Sequence, residues 1–269
     1  MPRFKLLIEY AGTKYSGWQI QKNARTVQGE IDRAVREATS RREFELYGAG
    51  RTDAGVHALA QVAHLDLYTT LTPEQLRRKI NDGLPADIHV LDIAKAPHRF
   101  HARHDAVERS YLYQISTRRT AFGKPLVWWI REPLKLAAMR EAAGAFIGLR
   151  NFEAFTADDP DEKSTKVLVD AVDIEAHGAL ILIRIRGSHF LWKMVRRMVG
   201  VLAAVGRGEI AGREAAAFLD PAYAADARTT AAALAAPAAG LFLEAVRYTN
   251  DPPMGSMHPV VNIQHGLQG

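Results

Sequence analysis

Apolar and polar positions repeat with two different periods, and the two kinds of segment are interleaved along the chain. RFKLLIEY at 3–10 reads as a strand that ends at a turn on Ala11-Gly12. Beyond Thr26, a helix-capping residue type, the apolar positions Val27, Ile31, Ala34, Val35 and Ala38 fall at helical spacing. Residues 47–58, YGAGRTDAGVHA, are glycine-rich and predict a loop, and VAHLDLY at 62–68 alternates as a strand does. Thr72-Pro73-Glu74 opens a helix with proline at its first position, and HVLDIAKA at 89–96 is a further strand. SYLYQIST at 110–117 predicts a strand, and an alanine-rich helix is expected over 134–147. The polar stretch 156–166 predicts a surface loop. VLVDAVDIEA and ALILIRIRG then pair as a hairpin around His177-Gly178. A strongly amphipathic helix is expected over 189–205, alanine-rich helical sequence over 210–239, and a closing strand over 240–248.

Several of these strands adjoin without a helix between them, which favours an α+β fold over a doubly wound parallel sheet. The element content divides into two similar halves, 1–105 and 106–248. The last stretch, 249–269, carries Pro252, Pro253 and Pro259 and predicts a flexible tail.

Composition narrows the chemistry. The chain has 269 residues, 48% hydrophobic and 24% charged, as an ordinary globular protein has. With no cysteine, disulfides, thiolate nucleophiles and cysteine-ligated metal centres are excluded. No apolar run approaches the ~20 residues of a membrane span, and the N-terminus lacks the apolar core of a signal peptide, so a cytoplasmic protein is expected, with no membrane partner. The formal charge of +5 is compatible with a nucleic-acid partner. There is no P-loop, no strand–GxGxxG–helix unit and no GxSxG elbow. His98, His101 and His104 are spaced by three, without a metalloprotease pattern around them; they read as surface histidines, and no metal site is expected.

What stands out is Gly50-Arg51-Thr52-Asp53-Ala54-Gly55-Val56-His57-Ala58. Two readings fit it. In one, Asp53 is a turn residue bonding nearby amides. In the other, it is a charged carboxylate held on a tight loop for nucleophilic or base chemistry. Elsewhere the plain readings are equally available: Tyr111 and Tyr113 share one strand face and fit a core, and Lys193, Arg196 and Arg197 fit a solvated helix face.

RTDAGVHA resembles the catalytic motif of the TruA-type tRNA pseudouridine synthases, and further matches follow in family order. Tyr10-Ala11-Gly12-Thr13-Lys14-Tyr15-Ser16-Gly17-Trp18-Gln19 resembles the family's Y-x-G-T-x-Y-x-G-W-Q opening. Phe100-His101-Ala102-Arg103 resembles F-H-A-R, and Arg109-Ser110-Tyr111-Leu112-Tyr113 resembles R-x-Y-x-Y. Phe190-Leu191-Trp192-Lys193-Met194-Val195-Arg196 resembles F-L-x-x-M-V-R, and Ala236-Pro237-Ala238-Ala239-Gly240-Leu241 resembles A-P-x-x-G-L. Gly148-Leu149-Arg150-Asn151-Phe152 departs from the family's G-x-H-D-F.

The resemblance implies the pseudouridine synthase α+β fold, with two RRM-like (ferredoxin-like) halves around a central basic cleft. It implies a homodimer that acts on tRNA and converts uridines 38, 39 and 40 of the anticodon stem-loop to pseudouridine. The reaction breaks the N1–C1′ bond, turns the uracil and rejoins it through C5; nothing is oxidised and no group is donated, so no cofactor is expected. Asp53 is then the essential carboxylate, Arg196 its matching cation and Tyr111 the active-site tyrosine. Arg51 would occupy the space of the flipped base, which must leave its stack before it can react. Thr52, His57, Arg103, Tyr111 and Lys193 are expected to contact the RNA. Arg36/Arg41/Arg42, Arg77/Arg78/Lys79, Arg99/Arg103 and Lys193/Arg196/Arg197 are basic clusters that could meet phosphates. Two other functions keep the same residues: an RNA-binding protein without catalysis, and a cofactor-free hydrolase that releases a free base.

Overall fold

The computed structural model describes residues 1–159, 164–226 and 229–263. The chain forms two compact units, Met1–Val107 with Phe242–Asp251, and Glu108–Leu241 with the stretch from Pro252 onward.

The first unit contains β1 (Arg3–Tyr10), α1 (Val27–Thr39), β2 (Glu45–Gly48), β3 (His57–Asp66), α2 (Pro73–Gly83) and β4 (Ile88–Ala96). β1 lies between β3 and β4, antiparallel to both, with Leu6 opposite Ala63 on one side and Ile93 on the other. β2 pairs with the far end of β3, Leu46 opposite Leu65. The helices begin where their caps place them. The Thr26 hydroxyl accepts from the Gly29 amide at 3.3 Å. Thr72 and Gln75 cap each other reciprocally, at 3.2 and 3.0 Å, behind Pro73. α1 buries Val27, Ile31, Ala34 and Val35, and α2 buries Leu76 and Ile80.

The second unit contains β5 (Ala106–Ser116), β6 (Trp128–Trp129), α3 (Leu136–Ala143), β7 (Gly148–Asn151), β8 (Lys166–His177), β9 (Leu180–Gly187), α4 (Met194–Arg207), α5 (Gly212–Ala217) and α6 (Pro221–Asp226). β5, β9, β8 and β7 are neighbours in that order, each pair antiparallel, and β6 adds a short parallel pairing to β5. α4 is buried along most of its length. The last strand, β10 (Leu241–Tyr248), returns to the first unit and pairs in parallel with the start of β3, Phe242 opposite His57. Both units pair antiparallel sheets with helices, the α+β class expected. No helix among the described residues is long and apolar enough to cross a membrane.

Four local expectations change. β3 starts at His57, inside the predicted loop; its first two residues, His57 and Ala58, lie on opposite faces and are both buried, so the start shows no alternation. α4 starts at Met194, five residues after the predicted point: Lys193 is left-handed at φ 64°, and no helix continues through it. Within 210–239 the described helix is confined to the two short segments α5 and α6; alanine content alone does not hold helices without packing. The proline-bearing end does not run free up to Ile263. The Arg184 guanidinium donates to the Gly255 and Ser256 carbonyls at 2.7 and 3.2 Å, the Val260 amide donates to Gln114 Oε1 at 2.7 Å, and the Ala179 amide donates to the Ile263 carbonyl at 3.0 Å. Proline removes amide donors, but the carbonyls of this stretch still accept. Residues 264–269 lie outside the described residues.

Candidate active site

The loop that carries Asp53 is held from below by the family-like opening segment. A turn closes from the Val56 amide to the Asp53 carbonyl at 3.1 Å, and Asp53 sits half-buried at its first corner. The Trp18 amide donates to the Thr52 carbonyl at 3.1 Å, and the Gly55 amide to the Tyr15 carbonyl at 3.2 Å. Gln61 Nε2 donates to the Gly50 carbonyl at 2.9 Å. Gly12 lies directly against this loop: a Cβ there would stand 1.9 Å from the Val56 carbonyl oxygen. Only glycine lets the two backbones approach so closely.

Two residues expected to contact RNA are part of this support instead. Thr52 is only 6% exposed, and its hydroxyl is hydrogen-bonded to the Tyr10 hydroxyl at 2.8 Å. His57 is 1% exposed; its Nδ1 accepts from the Gly12 amide at 3.0 Å, and its ring stacks on Phe242 with centroids 4.8 Å apart. Packed against backbone and ring, both side chains are withheld from a ligand and fix the loop. Arg51 is exposed one residue before Thr52. Tyr15 is buried, its hydroxyl donates to Asp87, and burial with that carboxylate raises its pKa.

Arg103 is exposed on a tight turn in which the Arg103 and His104 amides both donate to His101 Nδ1, at 3.1 and 3.2 Å. Below it, buried His64 accepts from the Ala102 amide at 3.1 Å, and the His64 and His101 rings lie 4.7 Å apart. Burial, then the nearby Arg3 and His101, push the His64 pKa down to about 4. Burial and His104 lower that of His101 as well. Among the described residues no group of three His, Cys, Asp or Glu side chains is arranged to hold a metal.

The other expected site residues belong to the second unit. Tyr111, on β5, is 9% exposed and meets Phe190 edge to face at 5.1 Å. Tyr113, two residues on, is core: its hydroxyl donates to the Pro237 carbonyl at 2.8 Å, and burial drives its pKa well above the ordinary value. Arg109 Nη1 donates to the Ser188 carbonyl at 2.7 Å and so ties the loop before α4 to β5. Arg196, in the first turn of α4, donates from Nε to the Ala236 carbonyl at 2.7 Å, while the Ala236 amide returns a bond to the Arg196 carbonyl at 2.9 Å. That contact needs the 234–236 backbone close against α4. Gly200 allows it, since a Cβ there would lie 1.8 Å from the Leu234 carbonyl oxygen.

Arg197 does not join a basic surface. It turns inward, donating to the Ala154 carbonyl at 3.1 Å and to the Thr156 carbonyl, and burial lowers its pKa. The α1 cluster is similarly engaged: Arg36 bonds Asp32 at 2.6 Å and the Arg42 carbonyl at 2.8 Å. Residues to which the sequence reading gave no role of their own do much of the positioning, above all Gln61, Tyr10 and Arg109. A polar residue inside an apolar strand, as Gln61 is in LAQVAHL, is the signal that could have found the first of them.

The first unit offers a carboxylate on a glycine turn, and the second a carbonyl-anchored arginine and a nearly buried tyrosine; the class of RNA-modifying enzyme is defined only in company with the sequence. The sequence supplies that company. The model of the family described as tRNA pseudouridine synthase matches residues 6–105 and 142–249, and the chain belongs to that family. It is 42% identical over 251 residues to the tRNA pseudouridine synthase A of Afipia carboxidovorans, covering 92% of this chain and 100% of the relative. It is 39% identical to the tRNA pseudouridine synthase A of Maricaulis maris, covering 92% and 98%. It is 41% identical to that of Rhodopseudomonas palustris, covering 92% and 100%. Among solved structures, an archaeal box H/ACA sRNP Nop10–Cbf5 complex aligns with 76% of this chain and 42% of that chain at 10% identity, with a TM-score of 0.32, too slight a likeness to bear on the fold.

Proposed function

We propose that this chain is a tRNA pseudouridine synthase that isomerises uridines 38, 39 and 40 of the anticodon stem-loop. It acts as a homodimer in the cytoplasm and needs no cofactor. The observation that carries the reading is the RTDAGVHA loop, whose Asp53 turn is held in place by the Thr52 hydroxyl, His57 Nδ1, Gln61 Nε2 and the amides of Trp18 and Gly55. Full-length relatives named for this activity support it.

In this reading Asp53 supplies the anionic carboxylate at the sugar–base junction. The N1–C1′ bond breaks, the uracil turns, and C5–C1′ forms; the C5 proton departs and N1 takes one up, so the formula is unchanged. Arg196 keeps the carboxylate ionised, since an opposite charge within about 4–6 Å favours the charged form. The Tyr111 ring stacks on the uracil and its hydroxyl assists the proton at C5. Arg51 takes the place of the flipped base, Arg103 meets the RNA backbone, and Lys193 contacts the RNA. Thr52 and His57 act one step removed, by fixing the turn.

The test is a tRNA transcript labelled with tritium at C5 of uridine. The wild-type chain should release tritium into water, and Asp53→Asn should release none while keeping its fold and its tRNA affinity. Wild-type protein that binds several tRNAs yet releases no tritium overturns the enzymatic reading in favour of RNA binding alone. Release of free uracil would point to a hydrolase instead.

A further inference from the structure

The loop between β9 and α4 holds an aromatic side chain with no part in the chemistry above. Trp192 is 50% exposed, and the Lys193 ammonium lies over its ring at 4.8 Å from the centroid. Its presentation is built by the backbone. The Trp192 amide donates to the Asp158 carboxylate at 3.0 Å, and its carbonyl accepts from the Ala157 amide at 3.1 Å and the Thr156 hydroxyl at 3.4 Å. Arg197 secures the 154–156 backbone from the other side. Lys193 is left-handed, and this turns the chain sharply between the exposed indole and the first turn of α4. The same short segment carries Phe190, packed on Tyr111, and Arg196.

We propose that Trp192, with Lys193 stacked on it, is a platform for an unpaired base of the tRNA substrate. The proposal rests on the tRNA reading above and deepens it. The chemistry favours a base over the phosphate backbone. The Asp158 carboxylate, bonded to the Trp192 amide, disfavours a polyanion there, whereas an indole already polarised by a cation offers a flat surface for a neutral ring. Single-stranded loops present unstacked bases, and aromatic side chains take them without demanding a particular base. Trp192 and Lys193 occupy the two open positions of the F-L-x-x-M-V-R pattern, so the platform is a property of this chain rather than of the motif.

The experiment uses the full chain with a complete tRNA transcript. Affinity comes from filter retention, and KM and kcat come from tritium release. Trp192→Ala should weaken tRNA binding and raise KM by roughly 5- to 100-fold, the span of one base–aromatic stack, with kcat little changed. Trp192→Phe should recover most of the affinity. Because stacking releases no counterions, the slope of affinity against salt should be the same for Trp192→Ala as for wild type. Comparing Trp192→Phe with wild type, part of the tryptophan fluorescence quenched by tRNA should disappear. A Trp192→Ala protein with unchanged KM overturns the platform, as does one that loses kcat alone, which would mark a structural role transmitted to Arg196. If the wild type binds tRNA without releasing tritium, the synthase reading fails, and the affinity and fluorescence arms still decide the platform.

Discussion

Around Asp53, the residues that resemble the family pattern point inward. Tyr10, Trp18, Thr52 and His57 are buried, and their polar groups bond one another or nearby backbone. Around Arg196, neighbours on the chain part company: Arg197 turns in to hold carbonyls, while Trp192 stays half in solvent under Lys193. One region uses a long stretch of matching sequence to fix a single carboxylate. The other uses a few residues, each with a separate duty. A sequence motif therefore marks a scaffold at least as much as it marks chemistry, and adjacent residues of one type can differ entirely in what they do.

The largest effect that would break this contrast is at Asp53 itself. Asp53→Asn should lower turnover by about 1,000-fold or more in the tritium assay with little change in Tm. A comparable loss of stability would mean that Asp53 belongs to the scaffold with Thr52. Next comes the floor of the loop. Gly12→Ala puts a Cβ where the Val56 carbonyl stands and should cost about 3 kcal/mol by denaturant titration, with activity falling alongside.

The first unit should also carry a distinctive pH dependence. His64 is held neutral by burial, with Arg3, His101, Asp66 and Asp105 as its charged or titratable neighbours. Below about pH 6.5 the unfolded chain takes up a proton that the folded chain refuses until about pH 4, so stability should fall as pH falls through that window. The slope should approach ~1.4 kcal/mol per pH unit, and His64→Gln should flatten it.

In the second unit, Arg197→Met leaves buried carbonyls at Ala154 and Thr156 without their donor and should cost about 2 kcal/mol. Arg196→Lys should instead leave Tm nearly unchanged and lower turnover, because the planar guanidinium is lost while the charge is kept. The smallest effect sharpens the assignment of Thr52. Thr52→Val should lose about 1 kcal/mol of stability with its bond to Tyr10, and tRNA affinity should not move.

The strands β1 and β4, both capped helices and the hairpin β8–β9 were legible because each pairs a clean period with a clear stop: Thr26 and Thr72 at the helix starts, Gly178 at the hairpin turn. The turn at Asp53 was legible from its glycines. Less could be read where burial on both sides erased the alternation, as at His57 and Ala58, or where a short pairing such as Trp128–Trp129 leaves no period to see. The fates of Arg196 and Arg197 could not be told apart from spacing. Each depends on a carbonyl some forty residues away in sequence, Ala236 for one and Ala154 for the other. Thr52 and His57 looked like ligand contacts because polar residues beside a carboxylate usually suggest binding, and only their burial shows the other duty.

The crossing of β10 back to the first unit sets an order on synthesis. Emerging from a ribosome, Met1–Val107 lacks the strand that pairs with the start of β3, and His57 lacks the Phe242 ring it stacks on. Translation at about 5–20 residues per second puts a delay on the order of ten seconds between the two. Throughout that interval the Asp53 turn has no finished wall behind it. The nascent chain thus carries the Asp53 carboxylate early and gains the means to hold it still only when nearly all of the protein has been made.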